Sequence, residues 1–210
     1  MNELVFNVAA LAANLYGLIV IQKEGPDMGF GGQFQFLTIL GLTASTLAMT
    51  FKLARYISPS LFHGPYMRLS NIATPIEGLI SLLYWTIVLY DKDLLVPKDI
   101  EFQLPISLDL ALHLWPTLFL YIDMFMYKPG FKRSRADVIC LLSFAVGYFF
   151  WTRLCFQKNN FYPYPFLSFF TDIQRLIFFI VCGAVGSLMY LAGAFAHSQI
   201  YQFSNKSKTL

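Results

Sequence analysis

Six long apolar segments constrain the fold of this chain more than any other feature of its sequence. A helix needs roughly 20 mostly apolar residues to cross the hydrocarbon core of a bilayer. The segments cover approximately residues 4–21, 34–51, 72–90, 106–126, 137–156 and 175–197. They lack the polar–apolar alternation of β-barrel strands, so their backbone must satisfy its own hydrogen bonds as helices. The sequence therefore predicts an all-α polytopic membrane protein: one bundle of about six transmembrane helices over residues 1–210, with a short tail at 198–210.

Composition excludes several functional classes. Of the 210 residues, 57% are hydrophobic and 13% are charged, whereas soluble domains have about 45–50% and about 25%. The formal net charge is only +3. These values exclude a disordered chain, a nucleic-acid-binding module and an ordinary soluble enzyme domain. The Cys and His residues do not have the spacing of a zinc site, and the sequence implies no metal or organic cofactor.

The positively charged residues favour one orientation. With six spans, the N-terminus, the second loop, the fourth loop and the tail share one side and carry nine Lys and Arg residues, against six on the other side. The positive-inside rule then predicts that both termini are cytoplasmic. The chain ends in Lys206-Ser207-Lys208-Thr209-Leu210, which resembles the dilysine retrieval signal of endoplasmic reticulum proteins. The predicted location is therefore the endoplasmic reticulum membrane, and a solvated basic tail is the alternative.

Few ionisable side chains lie within the predicted spans, where they are costly and are functional candidates. Asp109 and His113 are four residues apart on one helix face, so the carboxylate can hold one imidazole nitrogen and leave the other free as a base. Pro116 removes a backbone donor and predicts a kink beside His113. Glu77 lies about five residues inside the third span, where a loop lysine is the expected partner. Asp123, near the end of the fourth span, is expected to have a structural role.

A nucleophile for this base must come from another helix. The second span carries the hydroxyls of Thr38, Thr43, Ser45, Thr46 and Thr50. Most of them are expected to donate to carbonyls of their own helix. Counted from the non-cytoplasmic start of each span, Thr38 lies roughly 6 Å deep and His113 roughly 10 Å deep. The two can therefore meet at one level as an activated nucleophile, whereas Thr46 and Thr50, at roughly 18 and 24 Å, lie too deep.

Several short motifs occur in order from the second span onward. They are Gly31-Gly32-Gln33-Phe34-Gln35-Phe36-Leu37-Thr38, Leu112-His113 with Pro116, Val146-Gly147-Tyr148-Phe149-Phe150-Trp151, Tyr164-Pro165-Phe166-Leu167 and Arg175-Leu176-Ile177-Phe178-Phe179. In this order and spacing the chain resembles the androgen-induced and androgen-dependent family of multi-pass membrane proteins. The resemblance implies a six-span hydrolase of fatty acid esters of hydroxy fatty acids that uses a threonine and a histidine within the membrane. In this sequence those residues are Thr38 and His113, while the orienting role of Asp109 is inferred from the residues alone.

These observations favour an intramembrane lipid ester hydrolase that draws its lipid substrate from the bilayer, with Thr38 as nucleophile and His113 as base. Arg175, at the non-cytoplasmic start of the sixth span, is the expected ligand for a substrate carboxylate, because arginine can bind one through two parallel hydrogen bonds. The alternative for Arg175 is snorkelling to the interface.

Two other functions stay open. A proton-coupled transporter would use Asp109, His113 and Glu77 as a relay and needs a continuous polar path across the membrane. A non-enzymatic sterol- or lipid-binding membrane protein would tolerate alanine at Thr38 without a chemical defect.

Overall fold

The computed structural model describes residues 2–95 and 104–207, apart from the side chains of 203–207. Its α-helices are α1 (Glu3–Glu24), α2 (Leu37–Ala54), α3 (Pro59–Asp91), α4 (Ile106–His113), α5 (Trp115–Ile122), α6 (Arg135–Asn159) and α7 (Asp172–Ser207). Short 3₁₀ turns cover Gly32–Gln35, Lys92–Leu94 and Pro165–Phe169, and a π turn covers Asp123–Tyr127. The described residues contain no strand.

Five helices are long and apolar enough to cross a membrane, namely α1, α2, α3, α6 and α7. A sixth span results if α4 and α5 are taken together with the π turn as one bent crossing. The prediction of an all-α polytopic bundle of about six helices is therefore confirmed. Lys208, half of the dilysine motif, lies outside the described residues.

Three helices begin at least three residues from the predicted starts of their apolar segments, and one of them is α7, which begins at Asp172 rather than at 175. Helix α3 starts at Pro59 rather than near residue 72, because its first turns carry polar residues that an apolar window passes over but a helix accepts at a membrane edge. Helix α2 starts at Leu37 rather than at 34, because Gly32–Gln35 form the preceding 3₁₀ turn. Helix α7 extends through Ser207, so the predicted tail is helical as far as it is described.

Small residues let the helices approach closely. A Cβ atom at Gly41 of α2 would lie 2.5 Å from Ile80 Cδ1 of α3, and one at Gly183 of α7 would lie 2.8 Å from the Ala145 Cβ of α6. Small residues at helix contacts are typical of membrane bundles, where packing replaces the hydrophobic effect as the driving force. Helix α2 lies between α1 and α3, which places its first turn inside the bundle.

The fourth span is broken beside His113, as Pro116 predicts. Helix α4 ends at His113, and Leu114 leaves the helical region with φ −128° and ψ −53°. Helix α5 begins at Trp115 with Pro116 in its first turn, and the two axes differ by 42°. The break leaves the imidazole at the end of a helix rather than in the middle of one.

A buried ion pair joins α1, α2, α3 and the π turn. Lys52 is fully buried and pairs with Asp123, which also accepts a 2.7 Å hydrogen bond from the Tyr66 hydroxyl. The same ammonium lies 3.2 Å from Glu3. Asp123 thus has the structural role expected of it, and it holds four segments together at the end of the bundle where α1 begins.

The prediction that Glu77 pairs with a loop lysine is wrong. Glu77 is fully buried, and neither carboxyl oxygen has a hydrogen-bond partner among the described residues. Its side chain packs towards Gly41 of α2. The loop lysine Lys128 donates instead to Ser70 and Asn71, nearer the start of α3.

Candidate active site

Thr38 is the second residue of α2, and its hydroxyl is not hydrogen-bonded to a backbone carbonyl of its own helix. Thr43, Thr46 and Thr50 donate to the carbonyls four residues earlier at 2.7, 2.6 and 2.8 Å, as predicted. For Thr38 that position is Phe34, which lies in the 3₁₀ turn and accepts a hydrogen bond from the Trp151 indole. The position of Thr38 in the first turn of α2 therefore leaves its hydroxyl available to partners outside this helix.

A glycine-containing loop leads the chain into Thr38. Gly31 has φ +85°, and a Cβ there would lie 3.2 Å from side-chain atoms of both Trp151 and Cys155. The fully buried Gln35 folds back to donate to the Met28 carbonyl at 2.7 Å. The loop is thereby packed against α6 and held in one conformation.

Three α6 side chains bind the backbone of this loop. Tyr148 donates to the Gln35 carbonyl at 2.7 Å, and the Trp151 indole donates to the Phe34 carbonyl at 2.9 Å. Asn159 binds both backbone groups of Phe30 at 2.8 and 2.9 Å. The motif Val146–Trp151 thus contributes two of the contacts that position the loop before Thr38.

Tyr164 completes the start of α2. The N-cap residue, Phe36, has no side chain that could cap the helix, and the Tyr164 hydroxyl instead accepts a 3.0 Å hydrogen bond from the Leu37 amide. Burial raises the pKa of this hydroxyl, while hydrogen bonds with the side chains of Thr38 and Tyr148 and with the amides of Leu37 and Thr38 lower it. Tyr164 therefore lies against the proposed nucleophile with its oxygen polarised by a helix N-terminus.

His113 is held by Asp109, as predicted from their spacing. Its Nδ1 lies 2.8 Å from the Asp109 carboxylate and 3.1 Å from the Asp109 carbonyl. A carbonyl oxygen only accepts, so Nδ1 carries the proton and Nε2 keeps its lone pair. Tyr84 stacks on the imidazole with ring centres 3.4 Å apart and an angle of 2° between the ring planes, and its hydroxyl interacts with the Asp109 carboxylate.

One cavity of about 140 Å³ contains both predicted catalytic residues. It is lined by Thr38, His113, Tyr84, Tyr164 and Gln33 and by apolar side chains including Ile39 and Leu112. Thr38 and His113 retain only 8% and 6% of their surface exposed. The hydrogen bonds of Nδ1 go to Asp109, and none joins the imidazole directly to Thr38. The cavity therefore presents a hydroxyl and an imidazole to whatever occupies the space between them.

Arg175 lies apart from this cavity lining. Its Nε donates to the Leu167 carbonyl at 2.8 Å, its Nη1 lies 2.5 Å from Asp172, and its guanidinium stacks 4.3 Å from the Tyr162 ring centre. These contacts fix the α6–α7 loop, whose residues Pro163 and Tyr164 do line the cavity. Carboxylate binding by Arg175 stays a prediction.

Two site residues escaped the sequence reasoning. Tyr164 stands within a motif quoted for the resemblance, and its tyrosine could have been considered as a hydrogen-bond donor. Tyr84 lies in an apolar run of α3, and its partners Asp109 and His113 are on another helix, so no local pattern indicates it. Among the described residues, no cluster of three His, Cys, Asp or Glu side chains is placed to hold a metal ion.

Known proteins resemble this chain along most of its length. The FAR-17a/AIG1-like protein family matches residues 2–198. A UPF0641 membrane protein of Schizosaccharomyces pombe is 37% identical over 80% of this chain and 76% of its own. The androgen-induced gene 1 protein of Homo sapiens is 22% identical over 82% and 79%, and an androgen-dependent TFPI-regulating protein of Mesocricetus auratus is 24% identical over 59% and 54%. No solved structure matches.

Proposed function

This chain belongs to the FAR-17a/AIG1-like family of membrane proteins, and we propose that it is an intramembrane hydrolase of lipid esters. The resemblance to the androgen-induced and androgen-dependent family implies fatty acid esters of hydroxy fatty acids as substrates. The observation that carries the proposal is the cavity shared by Thr38 and His113. The two residues come from different helices, α2 and α4, and the sequence alone indicates both as a nucleophile and a base.

The proposed reaction uses Thr38 as nucleophile and His113 as general base. The Thr38 hydroxyl attacks the ester carbonyl carbon, and Nε2 of His113 takes its proton. The resulting imidazolium gives this proton to the departing alcohol oxygen, which leaves an acyl group on Thr38. His113 then takes a proton from water, and the hydroxide releases the acyl group as a carboxylic acid. Thr38 recovers its proton, so the sum is one ester and one water giving one acid and one alcohol.

Asp109 and Tyr84 act through His113. The 2.8 Å contact with the Asp109 carboxylate favours the tautomer that leaves Nε2 basic, and it stabilises the imidazolium. The Tyr84 ring, stacked on the imidazole, limits its rotation. Both residues orient the base rather than react.

Tyr164 is the proposed donor to the oxyanion of the tetrahedral intermediate. Its oxygen accepts from the Leu37 amide, so its proton is directed to an oxygen beside it, either the side chain of Thr38 or Tyr148 or a substrate oxygen in the cavity. A donor held beside the nucleophile stabilises the charge that develops on the carbonyl oxygen without reorganising during the reaction.

The transporter alternative lacks support from the contacts of Glu77. A proton relay needs polar neighbours, and both oxygens of Glu77 are without a hydrogen-bond partner among the described residues. Between Glu77 and Tyr84, α3 carries Gly78, Leu79, Ile80, Ser81, Leu82 and Leu83, and only one of these side chains is polar.

The experiment is hydrolysis of a fatty acid ester of a hydroxy fatty acid by purified protein in lipid nanodiscs. Thr38→Ala and His113→Ala should each lower kcat/KM by at least 1000-fold, an order of magnitude typical of residues that react directly. Thr46→Ala is the matched control, since its hydroxyl is already bonded to the Leu42 carbonyl. Normal turnover by either site variant would refute the mechanism.

We further propose that the protein resides in the endoplasmic reticulum with both termini cytoplasmic. The support is the excess of Lys and Arg on one side, together with the spacing of Lys206 and Lys208, which resembles a dilysine retrieval signal. Replacing both lysines with serine should release the protein from this compartment. Asn205 begins an Asn-Lys-Ser sequon, and its glycosylation in cells would refute the orientation.

A further inference from the structure

Three cavities lie in series inside the bundle, each sharing lining residues with the next. The first is the cavity of about 140 Å³ that holds Thr38 and His113, here called the catalytic cavity. The second, of about 60 Å³, shares Thr38, Tyr84 and Tyr164 with the first and is called the middle cavity. The third, of about 30 Å³, is called the deep cavity. It shares Leu37, Tyr148, Phe179 and Cys182 with the middle cavity.

The middle and deep cavities together form one path that follows α3. The middle cavity reaches Ile87, and the deep cavity reaches Ile76. This separation of eleven residues corresponds to roughly 16 Å of helix. Apart from the hydroxyls of Thr38 and three tyrosines, the side chains along the path are apolar or a thiol. Thr38 thus stands at a junction, with the catalytic cavity on one side and a narrow apolar path on the other.

We propose, on the basis of the hydrolase function above, that the middle and deep cavities hold the acyl chain of the ester and that the catalytic cavity holds the alcohol portion. The ester carbonyl must lie at Thr38, where the two spaces meet. The catalytic cavity also contains the imidazole that protonates the departing alcohol oxygen. The acyl group that stays on Thr38 in the intermediate then extends along the apolar path between α3, α6 and α7.

The protein should select the length of the acyl chain because chains that are too long do not fit, rather than because longer chains bind more tightly. The substrate comes from lipid, whose tails are as apolar as the cavity lining, so burial of further methylenes gains little. A chain that is too long for the path instead forces its neighbours apart, which costs as much as overpacking a core. Narrowing the path should therefore penalise long acyl chains and leave short ones unaffected.

Two positions on α7 allow the path to be shortened in steps. Gly186 lines the deep cavity but not the middle cavity. A Cβ atom there would be 3.9 Å from the nearest atom, Leu79 Cδ2, so a side chain can enter the deep cavity. Cys182 lines both the middle and the deep cavities. Gly186→Leu closes the far end of the path, and Cys182→Leu closes it nearer to Thr38. Gly147→Leu is the control, since Gly147 is exposed and a Cβ there meets no atom within 4 Å.

The experiment measures kcat/KM for esters of one hydroxy fatty acid with acyl chains from butanoyl to octadecanoyl. Gly186→Leu should lower the value for the longest chains by about 5- to 150-fold and spare the short ones. Cys182→Leu should move the onset of this loss to shorter chains, and Gly147→Leu should not change the profile. An unchanged profile in both α7 variants, with hydrolysis intact, would overturn the cavity assignment while leaving the proposed function standing.

A second measurement does not depend on turnover. Cys182 is the thiol on the path, whereas Cys140 is exposed on α6. A long-chain ketone analogue of the ester should slow alkylation of Cys182 by an uncharged maleimide at least 10-fold relative to a butanoyl analogue, and it should leave Cys140 unaffected. Equal rates at Cys182 with both analogues would overturn the assignment, whatever the enzymatic activity.

Discussion

Replacing Tyr164 with phenylalanine separates two roles that the structure gives to one hydroxyl. The change keeps the ring, which packs edge-on against Phe36, and removes only the oxygen. That oxygen accepts from the Leu37 amide at 3.0 Å, in place of the side-chain cap that Phe36 cannot provide. It also interacts with the Thr38 side chain and lies where the proposed mechanism needs an oxyanion donor.

The two roles have different magnitudes. Loss of a helix N-cap costs about 1 kcal/mol of unfolding free energy, which leaves a stable protein folded and active. Loss of one oxyanion donor costs on the order of 100- to 1000-fold in kcat. Since the donor acts on charge that exists only in the transition state, KM should stay nearly constant.

The assay combines steady-state kinetics in nanodiscs with thermal unfolding of the same preparation. Trp151→Phe is the matched control, because it removes a 2.9 Å hydrogen bond to the Phe34 carbonyl of the same loop without lining the cavity. We expect both variants to unfold at slightly lower temperature and only Tyr164→Phe to lose kcat. If Tyr164→Phe retains kcat within about 3-fold while its stability falls, the hydroxyl is a cap alone and the oxyanion donor must be sought elsewhere.

Three further predictions concern the charged groups. Asp109→Asn should lower kcat/KM by on the order of 10- to 100-fold rather than abolish it, because the backbone carbonyl of residue 109 still accepts from Nδ1 of His113 at 3.1 Å. Complete inactivity would mean that the carboxylate does more than orient the base. Asp123→Asn should cost about 3–5 kcal/mol of unfolding free energy by leaving Lys52 buried without its main partner, and addition of Lys52→Met should recover part of the loss in a double-mutant cycle, whereas strictly additive losses would contradict a coupled pair. Burial lowers the pKa of Lys128 from its ordinary 10.5 to about 8, so between these two pH values the unfolded chain binds more protons than the folded one. The unfolding free energy should therefore rise as the pH is raised from about 8 to 10. Lys128→Met should remove this rise, and an equal rise in that variant would assign it to another group.

Relations within one helix were predictable from the sequence. The contact between Asp109 and His113 follows from a spacing of four residues, and the break at Leu114 follows from the missing amide of Pro116. Back-bonding of threonines along α2 follows from the same periodicity. Each of these depends on the geometry of a single helix, which is nearly invariant.

For residues on different helices, the sequence predicted only how deep each residue lies in the membrane. Counting from the span ends placed Thr38 and His113 at similar levels, and the structure places both in one cavity. The rotation of each helix about its axis is not encoded in such a count, so the stacking of Tyr84 on the imidazole and the approach of Tyr164 to Thr38 could not be derived. The expectation for Glu77 was wrong for the same reason: its depth was known, but the direction of its side chain towards Gly41 was not.

The helix ends were predicted less well than the helices. Helix α3 continues through residues 59–71, where polar side chains lower the hydropathy without breaking the helix. Helix α2 begins late because glycines at 29, 31 and 32 adopt positive φ and fold the chain into the loop that precedes Thr38. This loop, rather than the apolar pattern, determines which threonine is first in the helix.

The most direct test of the account is to locate the covalent label left by a fluorophosphonate that carries a long alkyl chain. Such a reagent phosphonylates an activated hydroxyl and releases fluoride, and mass spectrometry of the digested protein identifies the residue. We predict a single label on Thr38 that is absent from Thr38→Val, is strongly reduced in His113→Ala and persists in Thr46→Ala. Label on another residue, or hydrolysis that continues in Thr38→Val, would contradict the claim that Thr38 is the nucleophile.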